Sequence, residues 1–238
     1  MDAGRFELKY PVEPLRATRF LEELSPLLEP DGHGRDGAYT IYSLYYDTRD
    51  LSCLREKIEG VPNRIKFRLR SYPGDGSGAA YLESKTRFRH YVRKERQRVT
   101  AEQAAELSRG PLTPRALARI VPSSHPLAGQ VASRLSRGLL LPVVGVLYRR
   151  RALILRGSRN LRVTMDHSLQ ALAPDAPPAF PRRGLAPDPW VLEIKGHGLL
   201  PVEIQDALAR HDLVARSFSK YGECIARRPA FPLRASHF

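Results

Sequence analysis

The stretch Asn63-Arg64-Ile65-Lys66-Phe67-Arg68-Leu69-Arg70-Ser71-Tyr72 alternates cations with apolar residues at a period of two. That is the period of a β-strand, in which successive side chains leave on opposite faces. Arg64, Lys66, Arg68 and Arg70 therefore project to one side, and Ile65, Phe67 and Leu69 to the other. The same alternation sets Arg5, Glu7 and Lys9 against Phe6, Leu8 and Tyr10. It sets Tyr81, Glu83, Lys85 and Arg87 against Leu82 and Ser84, and Glu193 and Lys195 against Leu192 and Ile194. Glu7-Leu8-Lys9, Glu83-Ser84-Lys85 and Glu193-Ile194-Lys195 thus repeat one Glu-x-Lys unit on different strands.

Period-two patterning predicts strands over residues 5–10, 39–47, 64–72, 80–88, 91–99, 143–155, 160–169 and 190–196, about eight in all. Leu15, Phe20, Leu21, Leu24, Leu27 and Leu28 share an amphipathic helical face behind Pro14. Residues 113–121, with Thr113-Pro114 as the start signal, 127–137 and 201–211 also read as helices. Many strands with few helices favour an α+β fold with a largely antiparallel sheet over a doubly wound one. Pro73 to Gly78 reads as a flexible hairpin loop and Ala173 to Pro189, rich in proline, as a mobile loop. Neither is a required domain boundary, and one domain over residues 1–238 is expected.

The 238 residues carry 39 Lys+Arg against 25 Asp+Glu, a formal net charge of +14. An excess of this size speaks about partners: it concentrates polyanions such as nucleic acid, phosphate compounds or anionic lipid. Hydrophobic residues make up 42% of the chain, enough for a real core. Two cysteines, Cys53 and Cys224, form no stapling framework and fit a reducing compartment. No secretory h-region and no run of about 18 apolar residues is present, so a cytoplasmic protein without a membrane segment is expected.

A Glu-x-Lys face is often no more than a solvated face. Four same-face cations on one strand nevertheless repel one another unless an anion lies among them. If the charged faces converge by closing the sheet into a barrel, the cations are costly to dehydrate, and the lumen must hold water, counter-charges or a polyanion. Phosphate chains meet that requirement, because Arg offers planar paired donors and Lys a mobile point charge. Carboxylates among the cations suit a divalent cation that bridges phosphates. Other chemistries have little support: the seven histidines are scattered, and no CxxC, Walker A loop, dinucleotide glycine fingerprint or serine nucleophile elbow occurs. The tyrosines Tyr39, Tyr42, Tyr45 and Tyr46 fit core packing better than base stacking.

Taken in order, several motifs resemble the VTC domain family, the polyphosphate polymerase branch of the triphosphate tunnel metalloenzymes (CYTH-like superfamily). They are Arg5-Phe6-Glu7-Leu8-Lys9-Tyr10, Ser43-Leu44-Tyr45-Tyr46-Asp47-Thr48, Asn63 to Tyr72, Leu82-Glu83-Ser84-Lys85 and Arg93-Lys94-Glu95-Arg96. Tyr148-Arg149-Arg150-Arg151-Ala152, Leu161-Arg162-Val163-Thr164-Met165-Asp166, Leu192-Glu193-Ile194-Lys195 and Ser219-Lys220-Tyr221 follow. The resemblance implies a closed tunnel-like barrel of about eight antiparallel strands with helices packed outside, lined by basic residues. By motif position it implies that Lys9, Arg68, Arg70, Lys85, Arg150, Arg162, Lys195 and Lys220 bind the reacting phosphates, and that Glu193 holds the metal. Lys57, Lys66 and Lys94 are further substrate contacts, with either Arg93 or Lys94 facing inward. Glu7 and Glu83 hold metal, its outer water or neighbouring cations, with a supporting role favoured for both.

The implied activity is metal-dependent phosphoryl transfer from ATP to a growing polyphosphate chain, with Mn²⁺ or Mg²⁺ as cofactor. ATP and polyphosphate are the expected partners, and nucleic acid is not. The alternatives are an inorganic or nucleoside triphosphatase and a polyphosphate-binding module without turnover. Eukaryotic members carry a regulatory phosphate-binding domain before the tunnel and membrane helices after it, which this sequence lacks, so product translocation is expected to lie elsewhere. Gly145 stands where the family pattern expects a larger, often basic, strand residue.

Overall fold

A computed structural model describes residues 5–227 apart from 75, 77, 90, 159 and 180–189. The strands are β1 (Arg5–Val12), β2 (Leu28–Pro30), β3 (Ala38–Asp47), β4 (Asn63–Ser71), β5 (Ala80–Phe88), β6 (Tyr91–Val99), β7 (Leu141–Leu155), β8 (Leu161–Leu172) and β9 (Trp190–His197). The helices are α1 (Pro14–Glu23), α2 (Ser52–Ile58), α3 (Ala101–Arg109), α4 (Pro114–Ala118), α5 (Pro126–Leu135), α6 (Val202–Arg210) and α7 (Lys220–Ala226). In hydrogen-bonding order the strands run β1-β9-β8-β7-β3-β4-β5-β6, with β2 added on β7. β1 and β6 end this order, and among the described residues no ladder joins them. The antiparallel α+β expectation holds, while the closed barrel is not made by backbone pairing here.

By contacts the chain divides into two compact units. The first takes residues 1–40, 148–169 and 181–219, and the second takes 41–147, 170–180 and 220–238. Each has its own apolar core. In the first, Tyr10, Leu192, Ile194, Val163 and Met165 from the sheet pack with Phe20 of α1 and Ile204, Ala207 and Leu208 of α6. In the second, Phe67, Leu69 and Leu82 pack with Leu107 of α3, Leu117 of α4 and Leu127 and Val131 of α5. Phe67 and Leu82 are fully buried, so the apolar half of the alternation has the role that its period assigns to it.

Every strand expected from the sequence is present, with boundaries moved by three residues or fewer. Helices α2, α3 and α7 and the short β2 were not expected. Their local signals are present nonetheless. Thr100 and Gln103 form a reciprocal capping box at α3. Asp47 accepts hydrogen bonds from the backbone N–H groups of Cys53 and Leu54 at the start of α2, at 2.8 and 3.0 Å. The proline-rich loop expected over 173–189 lies outside the described residues from 180 onward.

Candidate active site

Antiparallel partners lie on the same face of a sheet, so the register turns strand patterns into a map. In the second unit the partners across β4, β5 and β6 form four rows. These are Arg64-Arg87-Val92, Lys66-Lys85-Lys94, Arg68-Glu83-Arg96 and Arg70-Tyr81-Arg98. On β3, Tyr45 pairs with Arg68 and Ser43 with Arg70. This face carries nine Lys and Arg residues and a single carboxylate, Glu83. On the opposite face Phe67, Leu69, Ala80, Leu82 and Val99 enter the buried core.

Glu83 is 1% exposed. Arg68 donates to its Oε2 at 2.8 Å through Nε, and Lys94 Nζ sits 2.6 Å from Oε1. Arg70 Nε lies 3.9 Å from Oε2 and donates to Ser43 Oγ at 3.3 Å. Burial acts to raise the carboxyl pKa, but Arg68, Arg70 and Lys94 outweigh it and hold Glu83 at about 2. The contact to Glu83 also settles which residue of the Arg93-Lys94 pair joins the cation face: it is Lys94.

Beside this row Tyr45 stacks on Tyr221 of α7, with ring centroids 4.7 Å apart and planes within 8°. Arg68 donates to the Tyr45 hydroxyl at 3.2 Å, and Lys66 Nζ stands 5.8 Å over the Tyr221 ring. The Tyr221 hydroxyl donates to Asp47 Oδ2 at 2.7 Å. Burial and the Asp47 charge push the Tyr221 hydroxyl up, whereas at Tyr45 the effect of burial is overcome by Arg68, Arg70 and Lys66, and its pKa falls to about 8. Two stacked phenols are thus driven apart by their partners. Tyr42, Tyr45 and Tyr46 are buried, as expected, whereas Tyr39 is only half-buried, and Tyr45 is also wired to the cations. Lys220 opens α7 immediately before Tyr221, and Lys57 lies on α2.

In the first unit the register across β1, β9 and β8 gives the rows Glu7-Lys195-Arg162 and Lys9-Glu193-Thr164. Lys195 Nζ is 2.6 Å from Glu193 Oε2 and 4.0 Å from Glu7 Oε1. Lys9 Nζ is 3.5 Å from Glu7 Oε1, 3.9 Å from Glu193 Oε1, and donates to the Phe218 carbonyl at 3.2 Å. Of the three consecutive arginines on β7, Arg149 and Arg151 are exposed and Arg150 is buried. Arg150 makes a bidentate pair with Asp166 at 2.6 and 2.7 Å and approaches Glu193 Oε2 to 3.7 Å. Burial works against both cations: it lowers Lys195, while Asp166 more than offsets it at Arg150, which is raised. Arg162 donates to Asp31 and, at 2.9 Å, to the Tyr39 hydroxyl.

This cluster gathers Lys9, Arg150, Arg162 and Lys195 with Glu7, Asp31, Asp166 and Glu193, so its formal charges balance. From the sequence Asp31, Asp166 and Thr164 carry no site role, and Tyr39 reads as core packing. Arg162, Thr164 and Asp166 share one strand parity, the signal that places the last two here. Glu7 and Glu193 are hard oxygen donors that share Lys9 and Lys195. Thr164 Oγ1 beside them is buried without a hydrogen bond. Two carboxylates and a hydroxyl are donors of the kind a hard divalent cation takes, while no group of three or more His, Cys, Asp or Glu suited to a metal occurs among the described residues.

Gly145 departs from the expected pattern for a steric reason. A Cβ there would lie 2.8 Å from the Tyr42 ring and 3.2 Å from Leu172 Cβ.

A family model, the VTC domain, matches residues 4–228. Among solved structures, a candidate adenylate cyclase from Bacillus halodurans is similar at a TM-score of 0.56 and 12% identity, covering 92% of this chain and 94% of that one. A candidate adenylyl cyclase from Hippeastrum, described as revealing a dominant triphosphatase activity, is similar at a TM-score of 0.53 and 14% identity, covering 97% and 98%. At these identities the likeness is one of fold. A search of curated proteins by sequence found no match.

Proposed function

We propose, since the chain belongs to the VTC domain family, that it carries out metal-dependent phosphoryl transfer on triphosphate and polyphosphate, most specifically polyphosphate synthesis from ATP. The observation that carries this reading is the β4–β6 face, which carries nine cations and one buried carboxylate, Glu83. A face so unbalanced is stabilised by a polyanion, and phosphate chains are the polyanions that Arg and Lys grip best. The closed tunnel that the family resemblance implies belongs to this proposal.

In this reading Arg68, Arg70, Lys85, Lys66, Lys94, Lys57 and Lys220 bind phosphates in the second unit, and Lys9, Lys195, Arg150 and Arg162 in the first. Arg150 and Arg162 must give up part of their bond to Asp166 and Asp31 to do so. Glu83 is assigned as the anchor that holds Arg68, Arg70 and Lys94 in place. Glu193, supported by Glu7 and Thr164, would hold Mn²⁺ or Mg²⁺. When bound, the ion would supply positive charge that neutralises the phosphates and the charge that develops during transfer.

Phosphoryl transfer has a loose transition state and asks for alignment and charge stabilisation rather than a protein nucleophile. An oxygen of the acceptor phosphate attacks the γ-phosphorus of ATP, the bond to the β-bridging oxygen breaks, and ADP leaves. The cations hold donor and acceptor in line and carry the charge that shifts toward the leaving group. The test is incubation with ATP and Mn²⁺. Acid-stable phosphate chains are the expected product. Orthophosphate alone assigns a triphosphatase, and neither product, with polyphosphate still bound, assigns a binding module.

A further inference from the structure

The cation face of β4–β6 changes character along its strands. In the last row the central position is occupied by Tyr81 rather than by an ionised group. Arg96, from the row before, lays its guanidinium over the Tyr81 ring, 5.0 Å from the centroid. Tyr72 meets the same ring edge-on, with centroids 6.4 Å apart and planes at 79°. Arg96 is exposed and Tyr81 half-buried, so the outer plane of the guanidinium is open to solvent.

A phosphate chain has no π-face and takes only the N–H edge of a guanidinium, so the open plane of Arg96 adds nothing to its grip. A nucleobase uses that plane, because bases stack on Arg planes and on aromatic rings alike. Two residues along a strand span about 7 Å, and Arg96 leans from the row of Arg68 and Glu83 onto the ring of Tyr81 between Arg70 and Arg98, so the platform stands next to cations of both rows. We propose that Arg96, backed by Tyr81, is a stacking platform for the base of a nucleoside triphosphate whose phosphates lie on the adjoining cation rows. The proposal rests on the phosphoryl-transfer reading above and adds to it the place where the nucleoside is told from inorganic phosphate. Stacking alone reads a π-face rather than a hydrogen-bonding edge, so the platform favours bases as a class over any one base.

The test compares binding of ATP, its β,γ-imido analogue and inorganic triphosphate by titration calorimetry, with and without Mg²⁺. It uses the wild-type chain, Tyr81→Leu, and Arg96→Lys, which keeps the charge and loses the plane. Both variants are expected to weaken ATP and its analogue about tenfold, the loss of one stacked base, and to leave inorganic triphosphate within about twofold. Arg96→Lys is a surface change, so it reads the platform even if Tyr81→Leu folds poorly. Equal losses for nucleotide and triphosphate, or no loss for either, overturn the platform and leave the phosphate reading standing. A wild-type chain that binds neither ligand overturns both.

Discussion

The two units solve the same electrostatic problem in opposite ways. Around Glu193 four cations meet four carboxylates, and every cation has an acid within 4.0 Å. On the β4–β6 face nine cations have one carboxylate among them, Glu83, and of these Arg68, Arg70 and Lys94 reach it within 4 Å. A balanced cluster is stable without a ligand, and its carboxylates can exchange a lysine for a metal ion. An unbalanced one stores repulsion that an anion relieves on binding. In the proposed reading the first cluster holds the metal beside its own phosphate-binding cations, and the second is the place of phosphate capture without metal.

The largest test of that division is Glu193→Gln. Turnover with Mn²⁺ or Mg²⁺ should fall by about 100-fold or more, the scale of losing a metal ligand. The fold should tolerate it, at a cost of about 1 kcal/mol, because Glu7 still faces Lys9 and Lys195 and Asp166 still holds Arg150. Wild-type turnover in this variant removes the metal assignment. Glu83→Gln should show the reverse balance. It removes the only carboxylate of its face, leaving Arg68, Arg70 and Lys94 uncompensated, and should cost roughly 3 kcal/mol by thermal unfolding. Inorganic triphosphate should restore much of that stability by binding the freed cations. If both variants lose the same stability, the contrast between the clusters is gone. A smaller effect is expected from Lys85→Ala, which should weaken triphosphate binding by several-fold and flatten its salt dependence without a loss of stability.

The sequence discloses the strands and their faces almost completely, because alternation is a local property that packing enforces: Phe67 and Leu82 must enter the apolar core, so their neighbours leave on the other face, where Glu83 is buried among cations instead. What it does not disclose is set by register. Nothing in residues 64–72 alone says that Lys66 pairs with Lys85 and Lys94, or that Arg68 and Arg96 flank Glu83. Asp31 and Tyr39 are further still from legible, since their contact to Arg162 spans more than a hundred residues. The helix α2 was hidden for another reason: its first turn is held by the side chain of Asp47, at the end of the preceding strand, and Leu51 enters it in a left-handed conformation that no pattern announces.

The finest prediction concerns Tyr45, which separates the two clusters by pH. Its phenol is faced by Lys66, Arg68 and Arg70 of β4, by Glu83 of β5 beyond Arg68, and by Tyr221 of α7 on its stacked side. With a pKa of about 8 it loses its proton as the solution becomes mildly alkaline. The phenolate then pairs with Arg68 and competes with an incoming phosphate for the same guanidinium. Affinity for inorganic triphosphate should therefore fall by a few-fold as pH rises through 8, in addition to any general salt effect. The sign for stability is opposite: a phenol depressed below its unfolded value near 10 adds stability that appears as pH rises above 8. Tyr45→Phe should flatten the alkaline arm of the binding curve while keeping the ring stack on Tyr221. An arm that survives in this variant would place the titrating group elsewhere, with Lys94, whose pKa burial lowers, as the next residue to change.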